Sequence, residues 1–153
     1  QTCALPISDD LPALVEIEKR VHVAPWTAQN FEGELAKPYS RVLVLSDDES
    51  DTKIAGYIVY WVMLDGCQIL NIATDLPYRG LGLAKQLVRQ ACRDAIKNGF
   101  KSVSLDVRKS NLPAIQLYQG VGFTISSIRK GFYSNGEDAY QMTISLEDGQ
   151  VDF

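Results

Sequence analysis

Arg79-Gly80-Leu81-Gly82-Leu83-Ala84 stands between a strand-like run and a helix-like run, and its reading decides what the rest of the chain builds. The small residues let a ligand approach the backbone. The first amides of the following helix have no partner within that helix and lie at the positive end of its dipole, so the segment suits a phosphate. A tight, closely packed strand-to-helix turn would use the same residues. A dinucleotide is one candidate ligand. Gly80-Leu81-Gly82 echoes part of the Rossmann fingerprint, and Asp106 follows Gly82 by 24 residues, near the spacing of a ribose-binding acid. However, Lys85 stands where that fingerprint has a third Gly or Ala, and several antiparallel strands precede the loop. No Gly-Lys-Ser/Thr completes a nucleotide P-loop.

Downstream of the loop, Leu83, Leu87, Val88, Ala91, Cys92, Ala95 and Ile96 form one helical stripe, closed by Asn98-Gly99. Ser102 to Val107 alternates as a strand. Val103, Leu105 and Val107 share one face; Ser104, Asp106 and Arg108 share the other. Asn111 can cap a helix through Ala114, Leu117, Tyr118 and Val121. Thr124 to Arg129 and Glu137 to Ser145 are strands around a Ser134-Asn135-Gly136 turn. Upstream, Cys67 to Thr74 returns from an Asp65-Gly66 turn, and Arg41 to Leu45 and Lys53 to Leu64 are strands. The acidic stretch Asp47 to Asp51 is a solvated hairpin loop. Thr27 can cap a helix holding Phe31 and Leu35 and stopped by Pro38. Ser8, Asp9 and Asp10 offer cap oxygens for a helix with Leu11, Leu14, Val15 and Glu18, and Cys3 to Ile7 is a short opening strand. The expected fold is a single α/β (α+β) domain over residues 1–153. It has a mixed, mostly antiparallel sheet of about seven strands and about four helices.

Composition narrows the function. With 46% hydrophobic and 22% charged residues, the chain has enough apolar side chains for a real core. A net charge of −4 disfavours a general nucleic-acid binder. The apolar run Ile54 to Leu64 is eleven residues, whereas a bilayer needs about 20, so it is a buried strand. Cys3, Cys67 and Cys92 are odd in number and lack metal spacing; they read as reduced thiols. A lone histidine, His22, excludes a His-rich zinc site. The chain opens on Gln1, so an upstream segment is expected to have been removed, and any targeting signal in it is not readable here.

A second candidate ligand is coenzyme A. Arg79-x-x-Gly82-x-Ala84 resembles the pyrophosphate signature of the GNAT superfamily of N-acetyltransferases. Further segments resemble its bacterial ribosomal-protein-alanine N-acetyltransferase subfamily. These are His22-x-x-Pro25-Trp26, Asn71 to Asp75, Leu105-Asp106-Val107-Arg108-x-Ser110-Asn111, Ala114 to Phe123, Arg129-Lys130-x-Phe132-Tyr133 and Glu137-Asp138-Ala139. The resemblance covers roughly residues 3 to 146 and implies a GNAT fold.

The resemblance implies acetyl transfer from acetyl-CoA to the α-amine of an N-terminal alanine on a small-subunit ribosomal protein. It implies direct attack in a ternary complex, without a metal. It implies pantetheine beside Ile72, Ala73 and Thr74, pyrophosphate on Arg79, Gly80, Leu81, Gly82, Leu83, Ala84 and Lys85, and a further cofactor contact from Asn111. Asp106 falls where the subfamily usually has a Glu acting as general base. Aspartate is one methylene shorter, which leaves room for a bridging water. Without the resemblance, Asp106 faces solvent, pairs with a cation such as Arg108, or works in a cleft. Tyr118 matches the tyrosine that protonates the leaving thiolate. Trp26, Tyr133, Glu137 and Asp138 match the acceptor side, and Cys92 belongs to the core. Expected partners are acetyl-CoA and the acceptor protein's amino terminus, with no nucleic acid or membrane. The protein is expected to act as a monomer in the cytoplasm, or in an organelle stroma if a targeting segment was removed. The alternatives are a lysine or small-amine acetyltransferase of the same fold and a non-catalytic acyl-CoA sensor. Aspartate in place of glutamate favours the sensor.

Overall fold

A computed structural model describes residues 2–4, 8–47 and 53–147. Among these, seven strands form one sheet and four α-helices cover it. In chain order they are β1 (Thr2–Ala4), α1 (Leu11–Val21), α2 (Ala28–Leu35), β2 (Ser40–Ser46), β3 (Ile54–Met63), β4 (Gly66–Thr74), α3 (Leu83–Lys97), β5 (Ser102–Arg108), α4 (Leu112–Val121), β6 (Thr124–Arg129) and β7 (Ala139–Ser145). The strand order is β1-β2-β3-β4-β5-β7-β6, and β4 with β5 is the parallel pair in an otherwise antiparallel sheet.

Local chemistry accounts for most element ends. Thr27 and Asn30 form a reciprocal capping box at α2. Asn111 accepts from the Ala114 N–H at α4. At α1 the expected side-chain cap is not used. Ser8–Asp10 form a 3-10 turn that runs into the helix, and Asp10 is already helical in its backbone with no cap bond. The β3–β4 turn is Leu64-Asp65, with Met63 paired to Gly66, one residue earlier than the Asp65-Gly66 signal suggests. The last strand begins at Ala139, not Glu137, because Glu137 and Asp138 turn toward loop partners instead of a ladder. The acidic loop from 48 on, Leu5, Pro6 and Ile7 of the opening strand, and the Cys3 side chain lie outside the described residues.

The sheet is buried on both faces, which explains the continuous apolar run of β3. Tyr57 and Val59 pack with Leu14, Ile17 and Phe31 under α1 and α2, while Ile58 and Tyr60 face Leu87, Val88 and Ala91 of α3. Cys67 and Cys92 are free thiols in that core, and burial pushes both up to about 12, so they stay protonated and inert. Among the described residues no helix is long and apolar enough to cross a membrane.

Candidate active site

Two irregularities open the sheet. Leu70 is a bulge residue in β4, since the register with β3 jumps from Ile69↔Tyr60 to Asn71↔Val59. The parallel pairing of β4 with β5 covers only Cys67–Ile69 against Val103–Leu105. Beyond it the strands part. The second half of β4 keeps β3 on one edge, and among the described residues it has no strand on the other. That edge offers backbone donors and acceptors to an extended ligand. The close approach of β3 needs Gly56, where a Cβ would stand 2.7 Å from the Ala73 carbonyl oxygen. The resulting cleft measures about 720 Å³.

Its β4 wall carries Ile72, Ala73 and Thr74, and its floor continues into Arg79, Gly80, Gly82, Leu83, Ala84 and Lys85. Gly80 and Gly82 have φ of +79° and +76°, a conformation glycine adopts without strain. Gly82 also leaves the α3 N-terminus without a side-chain cap. The first N–H to bond back into the helix is that of Gln86, to Gly82 O at 3.1 Å. The Leu83, Ala84 and Lys85 amides precede it at the positive end of a four-turn dipole. This arrangement fits a pyrophosphate, and the open β4 edge fits an amide-bearing arm such as pantetheine.

The opposite wall carries Asp106 on β5, Asn111 at the N-cap of α4 and Tyr118 within α4. Burial raises the Asp106 carboxyl above its ordinary value, and the Arg129 guanidinium works against that rise. The cation beside Asp106 is Arg129, not Arg108, which pairs with Glu137 at 3.2 Å. Tyr118 is buried, and its phenol is pushed well above the usual range, first by burial and then by the neighbouring Tyr133. It therefore remains a proton donor at any physiological pH. Asn111 spends its oxygen on the helix cap, leaving the amide nitrogen for a ligand.

Trp26 and Tyr133 border the cleft at its outer end. Leu81, Glu137 and Asp138 do not line it. Leu81 points to solvent. Glu137 accepts from the Ser110 N–H at 3.0 Å, from the Ser110 hydroxyl and from Arg108. Asp138 accepts from the Gly131 N–H and Lys130. These partners lower the pKa of both carboxyls. Glu137 ties the β5–α4 loop to the β6–β7 loop, and Asp138 closes the β6–β7 loop on itself.

Some site residues were not singled out in the sequence. Glu18 is fully buried at the cleft wall. It accepts from the Tyr57 hydroxyl at 2.5 Å, from the Trp26 N–H at 2.8 Å and from the Asn71 amide, with His22 Nε2 at 3.7 Å. An acid on the apolar stripe of α1 was the available signal. Asp75 caps the turn before the glycine loop and accepts from Nε and Nη2 of Arg20, each at 2.9 Å; this pairing and the Leu76 N–H lower the pKa of its carboxyl.

Comparison with known proteins agrees with this geometry. Residues 11–123 match the acetyltransferase (GNAT) family. A Bacillus subtilis (strain 168) protein named "Putative [ribosomal protein bS18]-alanine N-acetyltransferase" is 38% identical over 142 residues, 92% of each chain. The crystal structure of the Escherichia coli ribosomal-protein-S18-alanine N-acetyltransferase superposes with a TM-score of 0.84 at 30% identity, covering 99% of both chains. Arabidopsis thaliana NAA60 in complex with acetyl-CoA shares the fold at a TM-score of 0.83 and 18% identity, covering 96% of this chain and 99% of that one. With its split sheet, its uncapped glycine loop and these likenesses, the chain belongs to the GNAT family of acetyltransferases.

Proposed function

We propose that this protein transfers the acetyl group of acetyl-CoA to the α-amine of an N-terminal alanine, on a ribosomal protein of the small subunit. The carrying observation is that one cleft holds the open β4 edge, the uncapped α3 N-terminus, a raised carboxyl and a phenol. The names of the 38%- and 30%-identical proteins support the acceptor.

When bound, acetyl-CoA supplies an activated acyl group as a thioester. The α3 amides with Arg79 and Lys85 hold its pyrophosphate, and the β4 edge orients its arm and polarises the thioester carbonyl. Asp106 accepts the proton of the attacking amine, directly or through a water. An α-amine has a pKa near 7.7–8.0 against about 10.4 for lysine, so a short, recessed carboxylate suffices more easily for it. Tyr118 donates a proton to the departing thiolate. Trp26 and Tyr133 flank the acceptor peptide, and Glu137 and Asp138 brace the loops behind it. The reaction belongs where ribosomal proteins meet the ribosome, in the cytoplasm or an organelle stroma.

Two basic peptides beginning with alanine test this reading, one with a free amino terminus and a blocked lysine, the other reversed. Acetylation of the first is expected. Acetylation mainly of the second would remove the N-terminal assignment.

A further inference from the structure

β7 lies between β5 and β6, so Ala139 is the register partner of both Arg108 and Arg129. Along this row β6 lies two strands from β5. From the edge strand the Arg129 side chain reaches back across β7 to Asp106, with Nε 3.3 Å from Oδ1. Ala139 is small and fully buried where that path begins. Oδ1 is shut off from the surface and no aligned hydrogen bond reaches it, so Arg129 is its charge partner without being a full hydrogen-bond donor. Arg129 does not line the cleft, whereas Asp106 does. Arg129 is itself seated on the Phe132 ring, 5.5 Å from its centroid, and Phe132 meets Tyr133 edge-on.

We infer that Arg129 is the positioning residue for Asp106: from behind the cleft it anchors one carboxylate oxygen and leaves the other for the acceptor amine or its water. This rests on Asp106 as the proton acceptor. A buried carboxylate oxygen without a partner is costly. An ion pair from the rear supplies the fixed point. Arg129 also opposes the effect of burial, keeping Asp106 in the basic form to lower pH. The other titratable groups facing this region are Tyr133, from the β6–β7 loop, and Tyr118, from α4. Arg108, on β5 itself, is taken by Glu137 and by the Tyr133 ring at 3.9 Å.

The test is the pH dependence of kcat/KM for the free-amino-terminus peptide at saturating acetyl-CoA, in wild type, R129Q and R129K. Loss of the positive charge raises the Asp106 pKa further, so R129Q is expected to move the acidic limb to higher pH. The loss at the acidic end is ~10-fold, the size an adjacent opposite charge has on a carboxylate, and the profiles converge at high pH. R129K is expected to bring the limb back toward wild type, with melting temperature and acetyl-CoA affinity unchanged in both variants. An R129Q limb that coincides with wild type, a loss uniform in pH, or equal limbs for R129Q and R129K overturns the inference. D106N separates the two ideas. The peptide's own α-amine contributes an acidic limb in every variant, so the Asp106 limb is the steeper part below it. If D106N keeps that steeper part, the assignment of the base fails. If D106N reduces the profile to the titration of the α-amine alone while R129Q leaves the wild-type profile in place, only the role of Arg129 fails.

Discussion

At the scale of single residues, Tyr118 and Asp106 are tuned by the same force in opposite service. Burial disfavours the charged form of each. In the proposed mechanism this keeps the phenol protonated while making it a weaker acid, and it strengthens the carboxyl as a base but would deprive it of charge without Arg129. Tyr118→Phe removes only an oxygen from a side chain whose ring packs on Phe123 at 5.9 Å. It is expected to lower turnover by about 10²-fold or more, with acetyl-CoA affinity by calorimetry unchanged. Full turnover in that variant, where chemistry limits the rate, would show that the hydroxyl is not the acid.

Single elements carry the two sides of the cleft. The α3 N-terminus needs Gly82 both for its backbone and for what it leaves out. Gly82→Asp adds a carboxylate where the proposed mechanism seats the pyrophosphate, and the acetyl-CoA Kd should rise about tenfold or more. The same charge favours the helix dipole while the left-handed backbone opposes it, so the melting temperature of the free protein should move little. Affinity and stability thus part company, and calorimetry beside thermal unfolding reads both. On the other side, α1 carries Glu18, which binds β3 through Tyr57, β4 through Asn71 and the following loop through Trp26. Glu18→Gln replaces an acceptor of three donors by a group that is itself half donor. A stability loss of about 1–3 kcal/mol is expected from the buried donor left unpaired. Because Trp26 borders the cleft, peptide KM should rise while acetyl-CoA affinity holds. A fall in stability with peptide KM unchanged would confine Glu18 to the core.

Across the whole molecule the sheet is two halves, β1–β4 and β5–β7, joined by a short parallel ladder and the helices that pack on both. A ligand seated in the gap touches both halves and binds only the folded protein. At a hundredfold excess over its Kd, acetyl-CoA should add about 2.7 kcal/mol, or roughly 5–10 °C in melting temperature for a chain of this size. Hydrogen exchange should slow at the unpaired edge of Asn71 to Thr74. Protection confined to the glycine loop would mean that the arm does not lie along β4.

The sequence by itself determined what depends on neighbours a few residues apart. The glycine loop, the caps at Thr27 and Asn111, the alternation that put Asp106 opposite Leu105 and Val107, and the order of elements are set by helical and strand periods and by turn chemistry. The motifs placed most of the cleft lining because they are short and local. Tertiary structure decided what depends on strands meeting out of order. The insertion of β7 between β5 and β6 gave Asp106 the cation of Arg129, when Arg108 was the near candidate in sequence. The same packing drew Arg108 to Glu137, while Asp138 paired with Lys130 of its own loop. Glu18 could be seen on its stripe but not its partners, which come from two strands and a loop that only the folded sheet assembles. A side chain's periodicity is fixed by its own segment, whereas its charge partner is chosen by the packing of all the others.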